Sequence, residues 1–191
     1  MEVREGYKQS DVGVIPDDWA VKKLGDIVEF NKGKGLPKSQ LTPSGKYECI
    51  HYGELFTRYK ERILNVHSRT DFNDSTYVSK SNDILMPTSC ETRNDLARAS
   101  CIMKAGVILG GDILVIRPKD NTLDGVFFSY LINIEREQVM RLVSGSTVYH
   151  LYGSDMANFE LVIPECINEQ NRITNTLSDA DALIQSLTRL I

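Results

Sequence analysis

From Asn168 to its end the chain reads NEQNRITNTLSDADALIQSLTRLI, with apolar residues at Ile173, Leu177, Ala180, Ile184, Leu187 and Ile191. The steps between them alternate four and three, an unbroken heptad seam. Pro164 stands before the stretch, and neither Pro nor Gly lies inside it. The pattern predicts one helix of about 36 Å at 1.5 Å rise per residue. A helix sunk in a globular core shows a wider apolar stripe than this. The seam therefore wants one or more partner helices. Docking of the helix on its own domain is the competing arrangement.

Upstream the periods shorten. Gly13 and Pro16 keep Tyr7 to Trp19 extended or turned, and Val12, Val14, Ile15 and the sole Trp, Trp19, supply anchors. Leu24, Ile27 and Val28 predict a short helix over KKLGDIVEF, despite Gly25, that ends at Asn31 and Gly33. Asn31 to Ser44 is a basic loop rich in Gly, Pro, Lys and Ser, followed by a strand over YECIHY. Two segments echo each other, SNDILMP from Ser81 and GGDILVIRP from Gly110, each placing a polar turn and an Asp before a short apolar strand. A polar loop, TSCETRNDLARAS, and a strand at Cys101–Met103 lie between them. A helix is predicted from Asp124 to about Met140, with Phe127, Tyr130, Leu131 and Ile134 on one face. A Gly-containing loop, a short helix capped by Ser154 and a strand at Glu160–Ile163 follow. The expected fold is α/β (α+β): a mixed-sheet head over residues 1–163, then a long coiled-coil-forming helix over 164–191.

Charge divides the chain in two. Lys32 to Arg69 holds eight basic and three acidic residues, a local balance of +5, whereas Gly111 to Ile191 holds six basic and eleven acidic, −5, within a net charge of −4. The basic part suits phosphate, although charge runs are as often solvated faces. Within it GELFTRYKER interleaves aromatic and basic side chains, which suits backbone and base contacts and equally an ordinary amphipathic surface.

Candidate chemistry is sparse. The motifs Gly-x-Ser-x-Gly, P-loop and His-Glu-x-x-His are absent, as are methyltransferase cofactor glycines and a nuclease carboxylate cluster. Four scattered cysteines form no Cys-x-x-Cys pair, so neither zinc nor another metal is expected, and no cofactor. The start of the chain lacks a signal peptide pattern, and no apolar run nears the ~20 residues of a membrane span. A cytoplasmic, non-catalytic binding protein is the expectation.

Several pieces, taken in order, resemble the specificity subunit of type I restriction–modification systems. They are SDVGVIPDDWAVKKLGDI, GKGLPKSQLTPSGKYECIHYGELFTRY, NDILMPTSCET, GDILVIRP, GSTVYHLYGSDMANFELVIP and EQNRI at the start of the terminal helix. The resemblance implies a target-recognition domain that reads one half of a split site in double-stranded DNA. It also implies a helix that packs against a second such helix and against the methyltransferase (modification) subunit, with the restriction subunit joining through the complex. S-adenosylmethionine and ATP chemistry would belong to those other subunits. Family members usually carry two recognition domains and two such helices; this chain carries one of each. Either it pairs with itself as a homodimer through the helix, or it is one half of something longer. A protein-interaction scaffold that does not read DNA is the alternative reading.

The residues expected at phosphates are Lys32, Lys34, Lys38, Lys46, Arg58, Lys60 and Arg62. Those expected to read bases are Thr92, Arg93, Asn94 and Arg98, with Tyr59, because Arg bridges guanine and Asn bridges adenine. Gly145, Thr147 and His150 are expected to shape the turn that feeds the terminal helix, with DNA contact as the alternative. Ile173, Leu177, Ala180, Ile184, Leu187 and Ile191 are expected at the helix interface.

Overall fold

A computed structural model describes residues 3–74 and 76–189 of the chain. The chain opens with a hairpin of β1 (Tyr7–Ser10) and β2 (Gly13–Pro16), then β3 (Trp19–Lys23), a single helical turn α1 (Leu24–Ile27) and β4 (Val28–Lys32). Next come β5 (Tyr47–Ile50), α2 (Glu54–Thr57), β6 (Arg62–Ile63), β7 (Ser68–Thr70) and β8 (Tyr77–Val78). The centre holds β9 (Asp83–Pro87), β10 (Ser89–Cys90), a 3-10 turn at Arg93–Leu96, β11 (Ser100–Ile102), β12 (Ile108–Leu109) and β13 (Ile113–Pro118). Then follow α3 (Gly125–Ile134), α4 (Arg136–Leu142), β14 (Tyr149–His150), α5 (Gly153–Met156), β15 (Glu160–Pro164) and α6 (Ile167–Thr188).

Five strands form the central sheet in the order β4-β13-β9-β11-β6, antiparallel except for the β11–β6 pair. A four-stranded sheet, β7-β5-β12-β8, is also of mixed orientation. The two echoing apolar segments become neighbours, β9 and β13, in the middle of the larger sheet. Alternate side chains serve different cores. Ile84, Met86, Leu114 and Ile116 pack with Phe128, Phe159 and the α3–α4 face. Leu85, Val115 and Ile113 pack with Ile50, Leu55 and Ile63 on the other side. A strand covered on both faces must be apolar throughout, which explains the unbroken runs. The Asp residues of the two echoes part company. Asp83 is fully buried and accepts two hydrogen bonds from Arg117, at 2.7 and 2.6 Å, whereas Asp112 lies at the surface 3.3 Å from Lys32.

Three expected elements differ. KKLGDIVEF is not one helix. Its ends pair as strands, β3 with β15 and β4 with β13, and only one helical turn remains between them. Long ladders with remote partners outweigh a three-residue helical spacing. The helix expected over Asp124–Met140 breaks at Glu135 into α3 and α4. Its start is as expected, with the Asp124 carboxylate accepting from the Phe127 N–H at 2.7 Å. Ser154 does not cap α5: it lies inside that helix, and Tyr152 stands at the cap without a side-chain bond.

The terminal helix α6 packs against α3 and β15 through its first turns. Gln170, fully buried, is the anchor. Its amide donates to the Thr122 and Pro164 carbonyls at 3.0 and 2.9 Å and accepts from the Asp124 N–H at 2.9 Å. Among the described residues no helix is long and apolar enough to cross a membrane, and no group of three His, Cys, Asp or Glu is placed to hold a metal.

Candidate nucleic-acid interface and helix seam

The contiguous basic stretch separates in space. Lys32 ends β4, and its neighbour Gly33 lets the following loop lie against Gly110. A Cβ on Gly33 would stand 2.0 Å from the Gly110 carbonyl oxygen. Lys34 is exposed there, its N–H bonded to the Leu109 carbonyl at 3.0 Å. Lys38 opens an exposed 3-10 turn. Lys46 sits apart on the smaller sheet, its ammonium 5.2 Å from the centre of the Tyr47 ring.

Arg58, Lys60 and Arg62 leave that group and line a hollow of about 400 Å³ whose opposite wall is α6, at Ser178, Asp181, Ala182 and Gln185. An adjoining hollow of about 260 Å³ shares Lys60 and adds Arg98 and Arg136. Five cations from three separate parts of the chain therefore converge beside α6. Two acids share the groove, and both are engaged: Glu61 accepts from the Asn133 amide at 2.7 Å, and Asp181 accepts from the Tyr130 hydroxyl at 2.7 Å. Burial, reinforced by the Asp181 carboxylate, pushes the Tyr130 phenol up to about 12. The Arg62 Nε is buried and has no hydrogen-bond partner among the described residues. The five cations thus outnumber the two lining carboxylates, although Arg58 also lies 3.8 Å from Glu54.

The expected base readers are placed unequally. Tyr59 belongs to the core: its hydroxyl accepts from the His67 N–H at 3.3 Å, and its ring stacks on His67. Burial pushes its phenol up to about 12, and only the edge of the residue is left at the wall of the two hollows. The Arg93 guanidinium donates to the Met140 and Val143 carbonyls, at 2.5 and 3.5 Å, and so holds the end of α4. Arg98 reaches the Phe56 carbonyl at 3.4 Å and Asp95 at 3.5 Å while lining the groove. The Asn94 carbonyl accepts from Arg136 at 2.9 Å; Thr92 and Asn94 are exposed. Arg136 was not legible as a site residue, because it lies on a helix in the acidic part of the chain and only the packing of α4 beside the 3-10 turn delivers it.

On α6 two faces separate. The face toward the head is polar: Gln170 and Thr174 are buried, Ser178 and Asp181 half-buried. The heptad seam lies to one side of it. Ile173 packs on the main core, but Leu177, Ile184 and Leu187 are 36%, 60% and 53% exposed, Leu183 is 60% exposed and Ala180 is exposed. Ile191 lies outside the described residues. Among the described residues beyond Ile173, then, the seam is partly exposed at Leu177 and largely exposed from Ala180 to Leu187.

Comparison with known proteins agrees with this architecture. The specificity subunit of the type I restriction enzyme MjaVIII from Methanocaldococcus jannaschii is 23% identical over 188 residues, covering 98% of this chain and 41% of that protein. The crystal structure of the type I restriction–modification system S subunit from M. genitalium superposes with a TM-score of 0.64 at 21% identity, over 100% of this chain and 43% of that one. The HsdS subunit from Thermoanaerobacter tengcongensis gives 0.65 at 16% identity, over 97% and 43%. The chain thus spans about two-fifths of the length of these relatives. The family model described as type I restriction modification DNA specificity domain matches residues 16–191, from the end of β2 through the head and α6, and the chain belongs to that family.

Proposed function

We propose that this chain is a sequence-specific DNA-recognition subunit of a type I restriction–modification complex. It reads one half of a bipartite site in double-stranded DNA and directs the methyltransferase and restriction subunits there. The observation that carries the reading is the pairing of a cationic groove with a bare apolar seam on the helix that walls it. Residues 1–163 act as the recognition head and 164–191 as the handle. Arg58, Lys60, Arg62, Arg98 and Arg136 hold phosphates beside the handle, with Lys32, Lys34, Lys38 and Lys46 on more distant parts of the head. Thr92 and Asn94 are the exposed candidates for base reading in the loop before Arg98. The seam through Leu177, Ala180, Ile184 and Leu187 pairs with the same seam of a second copy, and the joined helices dock the methyltransferase subunit. The chain itself supplies no catalytic group in this scheme, and it works in the cytoplasm, where the DNA is.

An isologous pair has two-fold symmetry, so its target is two inverted identical halves around a spacer. The test is to co-express the chain with its methyltransferase subunit and map methylated adenines in the host DNA. A split inverted repeat that disappears without the chain is expected. An asymmetric split motif would refute the self-pairing, and the absence of any new methylation would refute the specificity role.

A further inference from the structure

A second groove, distinct from the one beside α6, opens between the end of β4, the β10–β14 pair and the start of α5. Its volume is about 530 Å³. We infer that it seats one sugar–phosphate strand of the DNA duplex, held by Asn31, Lys32, Ser89, His150 and Tyr152. The inference rests on the DNA reading above and joins Lys32 of the basic stretch to Ser89, His150 and Tyr152, which lie outside it.

The groove is built by the turn that precedes β14. Gly145 has φ +102°, and a Cβ there would lie 2.2 Å from the Val148 carbonyl oxygen, so the turn closes only around glycine. The returning strand gives both main-chain groups of His150 to Ser144: its N–H donates at 2.8 Å and its carbonyl accepts at 3.0 Å. Ser89 is its cross-strand neighbour on β10, so both side chains stand on one face of the pair. The imidazole then stacks on the Tyr152 ring, with centroids 5.9 Å apart and planes 14° from parallel. Gly153 brings the start of α5 against Phe30, where a Cβ would meet the Phe30 Cβ at 2.8 Å. Tyr152 is left 52% exposed at the edge of the groove.

The lining chemistry selects the occupant. Lys32, Asn31, Ser89, His150 and Tyr152 all carry donors, and the side chains of Asn31, Ser89, His150 and Tyr152 make no hydrogen bond to another described residue. Asp112 is the one carboxylate in the lining, and Lys32 neutralises it at 3.3 Å. Phosphate oxygens only accept, and Lys, Ser, Asn and Tyr side chains are the usual partners of DNA phosphates. The apolar floor of Leu114 and Leu151 suits deoxyribose. The two grooves are also linked by chain. Ser89 leads through the 3-10 turn to Arg98, and that turn packs against β10 and β14 as well as against α4.

Neutral donors release no counterions, so their loss has a signature of its own. Tyr152→Phe and Ser89→Ala each remove only a hydroxyl. Binding of the complex of chain and methyltransferase subunit to a labelled duplex bearing the mapped motif, and to a scrambled duplex, is measured by fluorescence anisotropy over a range of salt. Each variant is expected to bind both duplexes about three- to tenfold more weakly, with an unchanged slope of log K against log salt. Wild-type affinity in both variants overturns the groove assignment alone. So does a loss confined to the motif duplex, which would mark base reading, or a weakened methyltransferase association with DNA affinity intact, which would mark a protein-docking site. A wild-type complex that binds neither duplex overturns the DNA reading and the groove with it.

Discussion

Replacing Ile184 and Leu187 together with aspartate separates a helix that pairs with another from one that serves only its own head. Full burial of a Leu or Ile side chain is worth about 1.5–3 kcal/mol. At 60% and 53% exposure, pairing can still add about 1–1.5 kcal/mol per side chain on that scale. That is about 2–3 kcal/mol per protomer and about 4–6 kcal/mol in a two-fold pair, roughly a thousand- to twenty-thousandfold in Kd. Desolvating the introduced carboxylates would add to the loss. The head should barely respond, because neither side chain belongs to any of the core clusters. Sedimentation equilibrium reads the first effect and thermal unfolding of the variant the second. The expected outcome is a monomer whose midpoint stays within about 4 °C of that of wild type diluted until it too is monomeric, since pairing itself raises the midpoint; about 4 °C is the shift that about 1 kcal/mol produces in a domain of this size. A variant that remains paired, or a midpoint that falls much further, would show that these residues pack on the head and would refute the argument.

Three further outcomes follow from the same structure. Lys60→Ala and Arg136→Ala should each weaken DNA binding for every sequence and lower the salt slope by about one; unchanged slopes in a salt titration would remove the groove beside α6 from the contact surface. Arg93→Ala should cost about 1 kcal/mol of stability in urea unfolding, through the lost bonds to the Met140 and Val143 carbonyls, while sequence preference is retained; a changed methylation motif would restore Arg93 as a base reader. Tyr59 keeps its proton in the folded state up to about pH 12, against 10 for the free group. The stabilisation from its neutral phenol is thus complete below pH 10 and is lost as pH rises from 10 to 12. Tyr59→Phe should flatten that alkaline loss in unfolding experiments, and an unaltered profile would count against the buried phenol as its source.

Much of the architecture can be read along the chain because it rests on local periodicity. The heptad steps from Ile173 mark α6, and the runs of Asp83–Pro87 and Ile113–Pro118 mark the two central strands. Asp124 marks the start of α3, and the contrast between a basic early part and an acidic late part is plain in the composition. What periodicity leaves open is which remote segments meet. KKLGDIVEF has helical spacing, yet β13 and β15 claim its two ends as strands. The run from Arg58 to Arg62 looks continuous with Lys32–Lys46, yet the parallel pairing of β6 with β11 carries it to the side of α6, where Arg98 and Arg136 join it. Tyr59 and Arg93 have the chemistry of base readers, but one ring fills a core and one guanidinium holds a helix end. The seam itself is visible in the letters. That a polar face through Gln170 and Thr174 is the one the head takes, leaving Ile184 and Leu187 more than half exposed, is decided by contacts some fifty residues apart in the chain, such as Gln170 with Thr122 and Asp124 and Asp181 with Tyr130. Side-chain spacing sets what an element can present; long-range pairing sets what it meets.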